Sequence, residues 1–507
     1  MNRITSYFVS VFLTAISLTL HAQQPFEGAK YLLCLEDVIQ LAKEQSPQSI
    51  LARHRFRASY FSYEEYKATF RPKLNLSTNP TSWDKSIQTV QSFDNNDNLI
   101  TKEVKANTFS STAGLYLSQN IGLTGGSVSL GSDFSRRQNF LEQTKEISTT
   151  YTTNPVRLSL SQPLNGYNQF RWSKEIEPLR YEEAKQSYIV QMETVSANAV
   201  SNFFALAIAQ VNLKMRQTNV ENQKELYDIS KGRYEMGLIA EDALLQVELR
   251  YMTSKSQLNS AKIEIESSLN QLRSFLGFRD NVEIELIINS EVPSFSVDFE
   301  EALNYALTRH PDILSNSRQI LEAERYVAQT KSQTGISLDL DASFGLNKSG
   351  YDFNYAYQPK FGDREGISLR INVPILDWNQ AKNRYRQAQS NLEVIETQIQ
   401  QLETNFKQDI FLRVMSFNMQ EGQLLNAAMA DTIAQKSYTI AYQRYMMGKG
   451  NITDMNIADT DKDNAKIGYM NALSTYWNLY YIIRRLTLFD FLNNKPLEED
   501  FELLMKN

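Results

Sequence analysis

The sequence predicts a mixed fold in which β-barrel strands join very long coiled-coil helices, laid out as two tandem helix–strand–strand–helix repeats. Three observations predict it. Short motifs recur at fixed offsets, some segments alternate apolar and polar residues with a period of two, and others keep an apolar period near 3.6 far beyond an ordinary helix. Composition agrees: 19 Gly and 12 Pro in 507 residues are roughly half the usual combined share of ~12 %. So few chain-breakers favour long uninterrupted helices over a loop-rich β protein.

Charge and reactive residues narrow the function. With 52 Lys+Arg against 58 Asp+Glu, a formal charge of −6 and a pI near 5.5, the chain lacks the basic face that phosphate binding needs, so no nucleic acid is expected. One Cys and three His leave no disulfide framework, thiolate metal site or histidine cluster. Serines are plentiful, but two histidines in the mature chain make a nucleophilic triad improbable. Gly125-Gly126 also lacks the Gly-Lys-Ser/Thr of a phosphate loop. The expectation is no enzyme, no metal and no cofactor.

Residues 1–22 read as a secretory signal peptide: Arg3, then an apolar stretch from Ile4 to Leu20, then Leu20-His21-Ala22 with cleavage after Ala22. Cys34 lies well past that run and reads as a buried thiol at a helix start rather than a lipidation site. No later stretch approaches the ~18 apolar residues of a membrane helix, and Phe203 to Ala209 reads as a helix–helix contact. A secreted chain without spanning helices can still enter a membrane as a closed β-barrel.

The repeat organises everything downstream. Arg233-Tyr234-Glu235-Met236-Gly237 is echoed by Arg444-Tyr445-Met446-Met447-Gly448, an offset of 211, and the same offset relates Val156–Pro163 to Ile367–Pro374. Upstream, Leu35–Ala42 with Pro47 matches Phe299–Ala306 with Pro311 at an offset of 264. The first half therefore carries 53 extra residues, Asp94-Asn-Asn-Asp-Asn98 among them. The predicted organisation is a first repeat over 23–277, with strands about 72–164 and long helices about 173–276. An equatorial connector over 278–298 leads to a second repeat over 299–490, with strands about 336–375 and long helices about 379–490. A tail over 491–507 follows.

The helical segments average near 3.6 residues per apolar step, as in Tyr181, Ala184, Tyr188, Met192, Val195, Ala199, Phe203 and Leu206. At 1.5 Å per residue the longest would run roughly 95–105 Å. The strands set a sharper constraint. Leu338 and Leu340 alternate with Asp339 and Asp341, and Leu369 and Ile371 with Arg370 and Asn372. This pattern fits either a soluble sandwich with one wet face or a barrel with lipid outside and water inside. In the barrel reading Asp339, Asp341, Arg370 and Asn372 face the lumen, Leu338, Leu340, Leu369 and Ile371 face lipid, and Tyr167, Trp172 and Trp378 form an interfacial aromatic belt. Two further candidates, Ala113–Ile121 and Ser127–Phe134, bring the count to four to six strands per chain. That is too few for the smallest ~8-stranded membrane barrel. Open edges in lipid leave backbone groups unsatisfied, so the barrel is expected to be shared in a homo-oligomer.

The duplicated plan, the paired Arg-Tyr-x-Met-Gly turns, and Pro163 and Pro374 at the strand ends closely resemble the TolC-type outer-membrane efflux proteins over residues 30–490. The resemblance implies a mixed membrane β-barrel plus all-α coiled-coil tunnel. Its barrel would be twelve-stranded and shared between three protomers, in the outer membrane of a Gram-negative bacterium with most of the chain in the periplasm. Such a homotrimer is a passive exit duct joined to a periplasmic adaptor and an inner-membrane pump of RND or ABC type. The rival readings are a periplasmic coiled-coil adaptor, which needs neither duplication nor membrane-length strands, and a structural protein.

The resemblance also assigns the tip. Met236, Gly237 and Leu238, with Met447 and Gly448 in the second repeat, look like the adaptor-docking turns. Asp454 matches an aspartate that rings the constricted pore, while Ile457 stands where a second ring aspartate occurs. Tyr445 and Asp242 look like a closing hydrogen-bond pair, although Gly450 replaces the basic residue that often completes that lock. Read without the family, Gly237 and Gly448 are helix C-caps, Asn451 caps the next helix, and Asp454 favours its N-terminal dipole.

Overall fold

The computed structural model describes residues 30–93, 99–141, 147–278, 282–289 and 291–506. The signal peptide and the Asp94–Asn98 segment lie outside the described residues. In chain order the elements are β1 (Lys30–Leu33), α1 (Leu35–Gln45), α2 (Pro47–Ala68), β2 (Lys73–Phe93), β3 (Leu99–Asn120), β4 (Ser127–Leu141), β5 (Ile147–Pro163), α3 (Gln169–Glu235) and α4 (Glu241–Leu276). Then come β6 (Glu283–Leu286), α5 (Phe299–Arg309), α6 (Pro311–Ser332), β7 (Ser337–Gly350), α7 (Phe353–Ala356), β8 (Gly362–Asn372), α8 (Gln380–Met446) and α9 (Ile452–Thr487). β9 (Phe489–Asp490), β10 (Lys495–Pro496) and α10 (Phe501–Lys506) end the chain.

The helices of the two repeats match in length. Helices α3 and α8 both have 67 residues, and α4 and α9 both have 36. The leading pairs match as well, α1 with α5 at 11 and α2 with α6 at 22. The starts follow from local chemistry. Pro47 and Pro311 open α2 and α6, where proline's missing N–H costs nothing, and Asp298 caps α5 by accepting from the Glu301 N–H.

By contacts the chain divides into two compact units that cut across the repeats. The first takes the described residues of Phe56–Gln186 and Pro311–Phe406, and the second those of Met1–Arg55, Ser187–His310 and Lys407–Asn507.

The first unit is built on one antiparallel sheet of six strands in the order β2-β3-β4-β5-β7-β8. Its register sorts the two faces. Leu74, Leu117, Leu130, Leu158 and Phe344 pair in one continuous row across five strands. Each of these side chains is between 39% and 62% exposed. One residue along, on the opposite face, Lys73, Ser118, Ser129, Ser159, Ser343 and Gly366 form a row across all six. Six strands per chain replace the four that a twelve-stranded trimer would use. The extra pair, β3 and β4, occupies the 53-residue excess and lies inside the sheet between β2 and β5. Among the described residues, the outer edges of β2 and β8 have no partner strand.

The second unit is helical. Phe203, Phe204, Leu206, Leu272, Leu276, Leu473 and Tyr476 are among its buried side chains. Helix α3 is long and apolar enough to cross a bilayer by composition alone, contrary to the expectation that no later stretch would be. Half of its apolar window is nevertheless buried in the protein. A buried ion cluster sits near the C-terminus of α9: Glu193 accepts from Lys43 at 3.0 Å and from Arg484 at 3.2 Å, and Arg484 meets Asp490 at 3.2 Å. Two features were not anticipated. The 278–298 connector forms β6, which pairs in parallel with β1, and the tail docks through a ring contact of Phe501 with Tyr188 at 6.2 Å. Cys34 is half-exposed rather than buried, because it occupies the N-cap of α1, where its N–H donates to Asp37 at 2.9 Å.

Candidate functional site

Two sets of residues carry functional expectations, one in each unit. In the helical unit, α3 and α8 end in the same way. Gly237 and Gly448 adopt left-handed φ of 70° and 71°, and their N–H groups donate to Tyr234 and Tyr445 carbonyls at 2.8 and 2.9 Å. The next residues, Leu238 and Lys449, donate to the Arg233 and Arg444 carbonyls at 2.8 and 2.9 Å. These are two Schellman closures, and the open space around each glycine leaves the φ as the reason for its identity. The turns present Met236, Leu238 and Met447 to solvent, each more than 60% exposed.

Below the turns the two hairpins are locked by contacts with no signature in the sequence. The Tyr445 and Ser230 hydroxyls share a 2.9 Å hydrogen bond, and both residues are buried. Arg233 donates to the Tyr445 and Met446 carbonyls at 3.3 and 2.9 Å, and its guanidinium lies 5.4 Å from the Tyr445 ring centroid. Tyr445 also packs with Leu226, Val247, Ile452 and Met455. The expected Tyr445–Asp242 pair is therefore not formed within this chain: the ring turns inward to α3, while Asp242 stands exposed in the first turn of α4. Asp454 is likewise exposed, in the first turn of α9, which Asn451 caps by accepting from the Thr453 N–H at 3.1 Å.

Farther along, a polar layer spans the helices. Asp463 accepts from Arg216 at 2.9 Å and Asn219 at 2.7 Å, and Lys462 bonds Asp459 at 2.8 Å. Burial pushes the Asp463 carboxyl up despite the cations of Lys462 and Arg216. The nearby Tyr438 phenol, over whose ring Lys462 sits at 4.0 Å, is also raised by burial. Asp459 and Asp463 are thus interior structural groups.

In the sheet unit, six of the eight barrel residues singled out by alternation pair with one another directly across β7 and β8. Asp339 pairs with Arg370 across β7 and β8, and Arg370 reaches Asp341 at 3.4 Å. Ser337 pairs with Asn372 on that same face, whereas Leu338–Ile371 and Leu340–Leu369 pair on the other. The alternation missed a second polar group on the Asp339 side. Asp133 takes Arg157 at 3.1 Å and Asn154 at 2.6 Å, and the Tyr116 ring lies over Gly114 and Gly131, where a Cβ would clash. Tyr167 and Trp172 line a cavity of about 600 Å³ beside Leu123 and Arg171. Trp378 is 83% exposed, at a left-handed φ of 52°.

The outer membrane efflux protein family model matches residues 125–278 and 302–478, well over half of the chain and both repeats. The chain belongs to the outer membrane efflux protein family. Members of this outer membrane efflux family are channels rather than enzymes, and membership places the chain in the outer membrane as part of an efflux or secretion exit path. Among curated relatives, nodulation protein T of Rhizobium leguminosarum bv. trifolii is 20% identical over 66% of this chain and 72% of its own length. Outer membrane protein TolC of Escherichia coli K12 is 22% identical over 57% of this chain, which spans 60% of that protein. The Campylobacter jejuni CmeC outer membrane channel superposes with a TM-score of 0.64 at 17% identity, covering 93% of this chain and 88% of that one. The Vibrio cholerae outer membrane protein VceC gives 0.61 at 13%, over 89% and 95%. These likenesses carry the channel-tunnel fold.

Proposed function

We propose that this efflux-family chain works as a homotrimer: a passive duct whose shared barrel spans the outer membrane and whose helices line a periplasmic tunnel. It would receive cargo from an inner-membrane pump, of RND or ABC type, through a periplasmic adaptor. The observation that carries this reading is the six-stranded sheet whose outer edges have no partner strand among the described residues and whose exposed apolar row runs across five strands. Such a sheet is stable in lipid only when other copies close it. In that setting Leu338, Leu340, Leu369 and Ile371 face acyl chains, and Asp339, Asp341, Arg370 and Asn372 face water. Tyr167, Trp172 and Trp378 sit at the interface.

The tip supports the same reading. Met236 and Leu238 of the first turn, with Met447 of the second, are apolar anchors left in solvent, which suits a visiting helical hairpin of the adaptor. Exposed Asp454, tripled by symmetry, supplies a carboxylate ring that attracts cations. Closure rests on Tyr445 and its neighbours, with Ser230 as the hydroxyl partner within the chain and Asp242 at the adjoining helix start.

Native mass measurement of the detergent-extracted protein, followed by planar-bilayer recording, tests the reading. Three copies and cation-selective conductance are expected. A monodisperse monomer with full β content would overturn it.

A further inference from the structure

We propose that the outer-membrane pore of this protein is a closed barrel of eighteen strands, half as many again as the twelve that the family resemblance implies. The proposal rests on the trimeric reading, since eighteen is three copies of the six strands in one sheet.

Three observations assign β3 and β4 to the barrel wall rather than to an ornament beside it. They are the second and third strands in the order β2-β3-β4-β5, so β2 reaches β5 only through them. Leu117 of β3 and Leu130 of β4 continue the apolar row between Leu74 and Leu158, while Ser118 and Ser129 continue the polar row between Lys73 and Ser159. A hairpin standing in water has no reason to keep that two-sided register with its neighbours.

The β3–β4 turn is also pinned at the end of the sheet where strands pass into helices. Asn168, just before α3, donates to the Gly122 and Leu123 carbonyls at 2.9 and 3.0 Å. Asn120 donates to Thr69, just past α2, at 3.0 Å, and Gln162 to Thr124 at 2.9 Å. Gly125, at φ 81°, closes the turn.

The bore follows from strand number. With strands ~4.8 Å apart and tilted ~40°, eighteen strands give a backbone diameter of about 36 Å against about 24 Å for twelve, because diameter grows nearly linearly with strand count. Cross-sectional area rises by about 2.2-fold in the same geometry. Two helices side by side, at ~10–12 Å each, fill about 20–24 Å. After side chains are allowed for, the wider barrel has room for two helices side by side, and the narrower one for a single helix at most.

Single cysteines placed in the full-length protein in its native outer membrane, on a Cys34→Ser background, test the assignment with a membrane-impermeant maleimide. Ser118→Cys and Ser129→Cys should label while Leu117→Cys and Leu130→Cys stay protected, with the same contrast as Ser159→Cys against Leu158→Cys. Equal labelling of Leu117→Cys and Ser118→Cys, with the contrast retained on β5, would place the hairpin outside the wall and overturn the proposal. Native mass separates the other failure: alternation on β3 with a copy number other than three overturns the trimer, and the eighteen with it, while leaving six strands per subunit. Counting strands in a density map of the unsubstituted complex needs no variant. Eighteen supports the proposal and twelve ends it.

Discussion

Arg233 donates to the carbonyl of Tyr445 at 3.3 Å and lies over its ring, and the contact is not returned. The counterparts 211 residues on and back, Arg444 and Tyr234, do not meet within the chain; among the described residues the Arg444 guanidinium makes no hydrogen bond, and Tyr234 is 40% exposed. A contact that runs one way between two copies of a unit is heterologous, and such contacts close into rings when the rotation allows. Arg444 of one subunit should therefore serve Tyr234 of the next. In the trimer proposed above, that joint would be weaker by one hydrogen bond, because the position equivalent to Ser230 is Ala441.

The first prediction follows from that difference. Arg444→Ala should loosen the joints between subunits, and Ala441→Ser should tighten them. At about 1 kcal/mol per bond, three joints acting on one closure shift the open population by about two orders of magnitude. Single-channel recording of both variants checks this; equal open probability in Ala441→Ser and the parent would remove Tyr234 from the joint.

Within the chain, Ser230→Ala and Tyr445→Phe each remove one buried hydroxyl partner of a 2.9 Å bond. Either should raise conductance, and the double variant should add little, since both delete the same interaction. Asp242→Ala should leave this in-chain bond intact. Asp454→Asn should instead keep closure and lower cation preference, because only the charge of the proposed Asp454 ring would be lost. Reversal-potential measurements in a salt gradient distinguish the two classes.

In the barrel, Leu340→Arg should cost ~2–4 kcal/mol near the bilayer midplane, and Asp341→Arg far less. Folding yield into lipid vesicles reads the difference. Similar yields for both would reverse the assignment of faces.

The ion cluster at Arg484 gives a pH signature. Burial alone pushes the Asp490 carboxyl up, but hydrogen bonds from Asn493 and Tyr480 and the charge of Arg484 outweigh it and hold the group below its usual value. Its stabilising contribution is present above the ordinary carboxylate value of ~3.9 and is lost as pH falls through the lower folded value. Asp490→Asn should thus lower the thermal midpoint at neutral pH, with the gap to the parent closing below about pH 4. A constant gap from pH 7 to 3 would assign the loss to packing alone.

Much of this architecture is legible because duplication makes the sequence test itself. The Arg-Tyr-x-Met-Gly echo locates two helix ends, and strict alternation in Ser337–Leu346 and Ile367–Val373 locates two strands and sorts their faces. What escapes is set by partners distant in the chain. Tyr445 could satisfy its hydroxyl through any nearby polar group, and only the packing of α8 on α3 selects Ser230, 215 positions away. β1 escapes because Lys30–Leu33 is too short to show a period and exists only through β6. In β2 and the first half of β3, irregular register near Asn79–Ser82 and polar residues on both faces hide the full lengths of 21 and 22 residues, although Ala113–Ile121 reads as a strand.

The matched helix lengths constrain how this protein can change. Deleting one residue from α3 would draw its turn back by ~1.5 Å and swing every later side chain by about 100° around the helix axis. Arg233 would then leave the end of α8, whose 67 residues would now be one too many. Compensation requires the same deletion in α8, and a further matched pair in α4 and α9, both 36 residues long. An insertion confined to one hairpin should therefore break the Arg233–Tyr445 contact, and four matched insertions should restore it.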